Sequence, residues 1–220
     1  MPAVSRLRVR YSWGMALRHR PREPEVDIMK IGLMGGSFDP VHFGHLIAGQ
    51  DVIEQLHLDR LFLVPAAQAP LKPQKVQSTN EDRLAMLAGA MPHESRMEIS
   101  DYELTNGGIS YTIDTARHFQ SLFPSDELFW VIGADQLRLL SEWKDIAELA
   151  KLVRFVFLER PGHVAPSLIA IPGLRLIRGK GHLIEISSSE LRDRVKAGLT
   201  LDNLCPQKVI AYIKEKGLYR

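Results

Sequence analysis

Gly35–Leu46 reads GGSFDPVHFGHL, and it stands between a short apolar run, Ile28–Met34, and an apolar-periodic stretch, His45–Leu58. The run before it has the character of a buried parallel strand. Leu46, Ile47, Val52, Ile53 and Leu56 in the stretch after it recur roughly at the helical repeat. A strand that ends on two glycines, turns at Asp39-Pro40 and enters a helix is the opening of a βαβ unit.

The same alternation continues to the C-terminus. Arg60–Pro65 (RLFLVP) predicts a strand, Ala66–Thr79 a loop rich in Pro and Gln, and Asn80–Met91 a helix capped by Asn80 with Leu84, Met86 and Leu87 turned inward. Arg96–Ser100 predicts a strand, Thr112–Phe123 a helix stopped at Pro124, and Glu127–Gly133 a strand ended by glycine. Short helices follow at Asp135–Leu140 and Lys144–Ala150, then a strand at Leu152–Leu158 and weaker ones at Leu174–Ile177 and Leu183–Ile186. Ser188–Ala197 and Gln207–Lys216 close the chain as helices. The expected fold is α/β: a doubly wound, mainly parallel Rossmann-like sheet with helices on both faces, and ligands outside the carboxyl ends of its strands.

Composition sets the outer bounds. With 220 residues, 45% hydrophobic and 25% charged, the chain has the make-up of a single ordinary globular domain with an appendage. No window holds about 18 uninterrupted apolar residues, which excludes a membrane-spanning helix. A single cysteine, Cys205, excludes an intramolecular disulfide and a Cys-built zinc site, and fits a reducing, cytoplasmic compartment. The net charge of +2 is local: residues 1–28 carry six arginines against Glu23, Glu25 and Asp27, while the remainder has 22 basic and 23 acidic residues. The body of the chain therefore lacks the charge of a nucleic-acid binder. Residues 1–28 read as a basic, disordered extension, and 29–220 as the functional domain.

The chemistry concentrates at strand ends. Gly35 and Gly36 let backbone approach a ligand, Ser37 adds a hydroxyl, and His42 and His45 stand at a helix start where N–H groups and the dipole favour an anion. Two imidazoles there can donate to phosphate oxygens. A resident metal is not expected, since Asp39 is the single further ligand on offer. Ile186–Arg192, ISSSELR, is a second anion site in outline: Ser187 or Ser188 would cap a helix, while Ser187, Ser188, Ser189 and Arg192 together suit nucleotide phosphates. Residues alone leave capping and binding equally open. Gly108–Thr115 (GISYTIDT) and the GADQLRLLSEW stretch starting at Gly133 form a third set.

The first segment resembles the H-x-G-H signature of the nucleotidyltransferase superfamily. Its G-x-F-D-P-x-H-x-G-H-L form is similar to that of the bacterial nicotinate-nucleotide adenylyltransferases. The resemblance runs from Lys30 to Arg220 and ends in a typical Y-I-x-x-x-x-L-Y-R stretch, Tyr212–Arg220. It implies adenylyl transfer from ATP to nicotinate mononucleotide, with His42 and His45 as the catalytic pair. Gly35, Gly36, Ser37, Phe38, Asp135, Ser187, Ser188, Ser189 and Arg192 would then bind ATP, the three serines matching the family's I-S-S-T-x-[IL]-R motif with Ser189 in place of its threonine. Ser110, Tyr111, Thr112 and Trp143 would hold the acceptor, with Trp143 stacked on the pyridine ring and backbone N–H groups near Tyr111 and Thr112 on its carboxylate. Lys72 and Arg160 are implied for the acceptor phosphate; Lys72 reads equally as a solvated charge, and Arg160 somewhat less so. Leu71 departs from the family, which usually places histidine there. Mg2+ is expected to arrive on the triphosphate. Nicotinamide mononucleotide, or another phosphate-bearing acceptor such as phosphopantetheine, is the alternative; oligomeric state is not legible.

Overall fold

The strand-ending glycines of the opening segment lead where the sequence predicts, into a six-stranded sheet in which every pairing is parallel. The computed structural model describes residues 27–71, 76–92, 95–159, 171–182 and 184–220. In chain order these form β1 (Lys30–Gly36), α1 (Phe43–Leu56), β2 (Arg60–Pro65), α2 (Asn80–Ala90), β3 (Met97–Ile99), α3 (Tyr102–Asn106), α4 (Thr112–Leu122) and β4 (Glu127–Ile132). They continue as α5 (Ala134–Arg138), a 3-10 turn (Leu140–Glu142), α6 (Ile146–Leu152), β5 (Val153–Glu159), β6 (Leu176–Lys180), α7 (Ser188–Lys196) and α8 (Gln207–Lys216).

Strand order is β3-β2-β1-β4-β5-β6. The winding reverses between β1 and β4, so helices diverge from that line onto opposite faces and leave a crevice above the strand ends. Side chains alternate along each strand, and the two faces carry separate cores. Leu61 and Leu63 of β2 and Phe129 and Val131 of β4 pack with α1, α2, α7 and α8. Phe62, Val64, Leu128, Trp130 and Ile132, on the same two strands, pack with α4, α5 and α6 on the other face.

Several boundaries differ from expectation, each for a local reason. β1 starts at Lys30 and runs through Gly35 and Gly36, because both continue the ladder with Val64 and Pro65 of β2. α1 starts at Phe43, so His45 lies in its first turn and His42 is the N-cap. α2 is capped by Thr79 in place of Asn80: Thr79 Oγ1 accepts from the Asp82 N–H at 3.1 Å, and the Asp82 carboxylate accepts from the Thr79 N–H at 3.1 Å. Asn80 Oδ1 accepts instead from Arg83. α3 was not legible, being one turn with little periodicity. The two weak strands expected near 174–186 are one strand, β6; residues 184–186 are irregular, and Leu183 lies outside the described residues. Residues 1–26 of the basic extension also lie outside them. Among the described residues, no helix is long and apolar enough to cross a membrane.

Candidate active site

Two cavities of about 480 Å3 each open above the carboxyl ends of β1 and β4. Gly35, Gly36, Ser37, Ile132, Gly133 and Gln136 line both, so the cavities share the wall made by those two strand ends. Each is large enough for a mononucleotide-sized ligand.

The first cavity is built on the turn between β1 and α1. Phe38 sits there with φ +48, a conformation costly for a bulky side chain, and is 1% exposed. A Cβ on Gly36 would lie 2.9 Å from the Phe38 ring, so the turn closes this tightly only with glycine. The Phe38 ring in turn packs on His45, with centroids 4.8 Å apart.

His42 and His45 are brought together. Their ring centroids are 3.8 Å apart and inclined by 30°. The His42 backbone N–H donates to His45 Nδ1 at 3.3 Å, which makes Nδ1 the lone-pair nitrogen and puts the proton of the neutral ring on Nε2. His42 is 5% exposed, and burial pushes its pKa down to about 4. At neutral pH it is therefore an uncharged imidazole. Its Nδ1 is buried at the first turn of α1, where His42 is the N-cap. Gly44 makes room for that ring: a Cβ there would lie 3.0 Å from His42 Nδ1 and 3.5 Å from the Ile186 carbonyl oxygen.

The ISSSELR segment meets the same cavity, and the structure divides its hydroxyls. Ser187 caps α7, its Oγ accepting from the Glu190 N–H at 3.1 Å. Ser188 Oγ donates to the Pro40 carbonyl at 2.9 Å. Ser189 Oγ accepts from Arg192 Nη2 at 3.1 Å, while Arg192 Nη1 donates to the Asp39 carbonyl at 2.7 Å. All four residues line the cavity, so capping and lining coexist. The α7 N-terminus is thereby latched to the Asp39-Pro40 turn. Arg192 is 9% exposed, and its Nε has no hydrogen-bond partner among the described residues. The cavity thus collects two helix N-termini, two imidazoles and one guanidinium, a set suited to a polyanion.

Asp39 is fully committed to structure. Its Oδ1 accepts from Ser78 Oγ at 2.5 Å, the Ser78 N–H at 3.2 Å and the Tyr219 hydroxyl at 2.7 Å; its Oδ2 accepts from the Gln77 N–H at 2.7 Å. Arg83, with no exposed surface, donates to the carbonyls of Ser37 at 3.0 Å and Ala66 at 2.6 Å, holding the ends of β1 and β2 together. Burial lowers its pKa from the ordinary arginine value. Sequence reading passed over it, because an arginine between inward-facing positions looks like a helix-surface charge.

The second cavity receives Ser110, Tyr111, Thr112 and Trp143. The Trp143 ring meets Trp130 and Phe155 edge-on, at 6.5 and 6.1 Å between centroids. Ser110 has a structural task as well, its Oγ accepting from the Ala67 N–H at 2.9 Å. Leu71 lines this cavity. Lys144, also on its wall and missed in the sequence, holds its ammonium 4.3 Å from the centre of the Tyr111 ring and 3.5 Å from Asp114. Glu103 is 7% exposed at the cavity's edge; Thr115 Oγ1 donates to it at 2.5 Å, and burial raises its pKa. Gln136, on both walls, was missed too, hidden beside the more conspicuous Asp135. Lys72, Arg160 and the Asp135 side chain lie outside the described residues.

Among the described residues, no group of three His, Cys, Asp or Glu side chains could hold a metal ion. With Asp39 saturated by four donors, the first cavity presents hydrogen-bond donors to an anion, which fits a cation carried by phosphates better than one caged by protein.

Comparison with known proteins bears on this arrangement. Residues 33–194 match the cytidylyltransferase-like family. A probable nicotinate-nucleotide adenylyltransferase of Opitutus terrae is 63% identical over 192 residues, covering 87% of this chain and 98% of the relative. One of the same name from Methylacidiphilum infernorum is 38% identical over 194 residues, 86% of this chain and 92% of the relative. The fold is similar to that of a Plasmodium falciparum nicotinic acid mononucleotide adenylyltransferase complexed with NaAD, with TM-score 0.68, 19% identity, and 87% and 97% of the two chains covered.

Proposed function

The chain belongs to the nicotinate-nucleotide adenylyltransferases, within the cytidylyltransferase-like family, and from that premise we propose that it joins ATP to nicotinate mononucleotide, giving deamido-NAD and pyrophosphate. The observation that carries the reading is the shared wall: a donor-rich cavity and an aromatic cavity meet at the ends of β1 and β4. A triphosphate in the first and a mononucleotide in the second would bring their phosphates together at Gly35–Ser37.

An oxygen of the acceptor phosphate attacks the α-phosphorus. The bond to the bridging α–β oxygen breaks, and pyrophosphate leaves with that electron pair. The acceptor phosphate is already largely a dianion near pH 7, because a phosphate monoester has its second pKa at about 6. No general base is needed, and catalysis consists of positioning and charge neutralisation.

Each residue then has a task. His45 donates from Nε2 to the α-phosphate region. His42 meets the neighbouring bridging oxygens; being neutral, it contributes a directed hydrogen bond and no net charge. The N-termini of α1 and α7, with Arg192, take the outer phosphates. Ser37 and Phe38 shape the turn beneath them. Trp143 offers its ring to the pyridinium, an arrangement favoured for an electron-poor ring. Backbone N–H groups at Tyr111 and Thr112 receive the nicotinate carboxylate. Asp135, Lys72 and Arg160 keep the roles that the family resemblance gives them, toward a ribose and the acceptor phosphate. Mg2+, bound to the triphosphate, supplies further neutralisation of its charge. A reducing, cytoplasmic setting completes the reading and accords with the single buried thiol of Cys205, whose pKa burial raises to about 11.

Incubation with ATP, Mg2+ and either mononucleotide tests it. Dinucleotide and pyrophosphate should appear in equal amounts, faster with the acid than with the amide. Absence of pyrophosphate release with both acceptors would overturn the reading.

A further inference from the structure

The first cavity contains a polar pair to which the transfer step assigns no task. Asp51 lies on α1, six residues beyond His45, and is 6% exposed. Its Oδ2 accepts from the His182 backbone N–H at 3.0 Å, and its Oδ1 lies 2.7 Å from His182 Nδ1. One helical turn further on, Gln55 Nε2 donates to the Lys180 carbonyl at 2.5 Å and Gln55 Oε1 accepts from the Lys180 N–H at 2.8 Å. Two residues of α1 thus fasten the segment leaving β6. Both Asp51 and His182 line the cavity, and 71% of the His182 side chain remains exposed.

Ring chemistry follows from that fastening. An ionised carboxylate can only accept, so the proton facing Asp51 is on Nδ1, and in the neutral ring Nε2 is an acceptor. Position follows from the helix. The phosphate donors stand at the start of α1, and Asp51 lies about 9 Å further along its axis at 1.5 Å per residue. Ala48, Leu158 and Ile184 line the cavity beside the pair. A donor-rich end and an apolar end with one fixed acceptor have the polarity of a nucleotide laid phosphate-first, with its base at the far end.

We infer that His182, oriented by Asp51, reads the base of the donor nucleotide by accepting a hydrogen bond from the exocyclic 6-amino group of adenine at Nε2. A 6-oxo purine presents a carbonyl oxygen there, lone pair against lone pair, and is rejected. Asp51 is a positioning residue in this scheme, setting the tautomer and holding the backbone. The inference rests on the first cavity taking an adenine nucleotide.

Calorimetric titration without acceptor reads the base directly. The ligands are the magnesium complexes of ATP, of inosine triphosphate, and of purine riboside triphosphate, which lacks the 6-amino group. The wild type should bind ATP roughly fivefold to tenfold more tightly than the purine analogue, as one hydrogen bond provides, and the inosine nucleotide more weakly still. His182→Ala should bind all three alike. Asp51→Asn, which retains an acceptor for the backbone N–H but no longer demands a proton on Nδ1, should narrow the differences. A wild type indifferent to the 6-amino group, or a His182→Ala variant that keeps the wild-type order, overturns the inference while leaving adenylyl transfer standing. Failure of every triphosphate to bind the wild type would overturn both.

Discussion

The Tyr219 hydroxyl donates to Asp39 Oδ1 at 2.7 Å, tying the penultimate residue of the chain to the turn that carries the histidine pair. Asp39 is 1% exposed and Tyr219 7%. Burial pushes the Tyr219 pKa up, so the phenol stays a donor throughout the working range. Tyr219→Phe removes one of four donors to a buried carboxylate. Stability should fall by about 1–3 kcal/mol, as for a hydrogen bond to a charged group, measured by urea unfolding. Because Asp39 also fixes the turn beneath the first cavity, turnover should fall along with it.

His45→Ala should reduce turnover by roughly 10²–10³, the usual loss for one donor aimed at developing charge, with an unchanged circular dichroism spectrum. Pyrophosphate release by a folded variant at near wild-type speed would remove His45 from the mechanism.

His42 predicts a pH dependence of folding. Its pKa is about 4 in the folded chain against 6.5 for an ordinary histidine. Between those values the unfolded chain binds the proton and the folded chain does not, so stability rises with pH across the window. The stabilisation is complete above 6.5 and lost as pH falls to 4, a change on the order of 3 kcal/mol. His42→Asn should flatten that part of the stability profile. An unchanged slope between pH 4 and 6.5 would place the proton elsewhere.

Gly44→Ala separates packing from chemistry. Alanine favours a helix over glycine by up to about 1 kcal/mol, yet the new methyl would stand 3.0 Å from His42 Nδ1. The melting temperature should change little, while turnover falls about tenfold or more because the ring is displaced. Full activity would show that the ring's placement is not critical.

Trp143→Ala should raise the KM for nicotinate mononucleotide by roughly tenfold, with a smaller effect on kcat, and Trp143→Phe should recover most of it. If the indole served only as packing against Trp130 and Phe155, stability would drop and KM would stay put.

Much of this was legible in the chain because the signals are local. Arg60–Pro65 and Gln207–Lys216 are observed with the bounds the pattern predicts, since period and flanking residues specify them without help from elsewhere. GGSFDPVHFGHL announces a strand, a tight turn and a helix start for the same reason. Less was legible where a role depends on a distant partner. Nothing near Arg83 says that it will be buried beneath the carbonyls of Ser37 and Ala66. Nothing near Asp51 says that it will meet His182, 131 residues away.

The sequence by itself determined the class of fold and the kinds of chemical group at its strand ends, because hydrophobic period, glycine and proline placement and donor-bearing side chains are written residue by residue. The tertiary structure alone decided the protonation of His42 and the division of labour among Ser187, Ser188 and Ser189. It also decided that two cavities share the wall between β1 and β4. Those properties depend on desolvation and on hydrogen-bond partners far apart in the chain, and both come into being only when the sheet closes the distance.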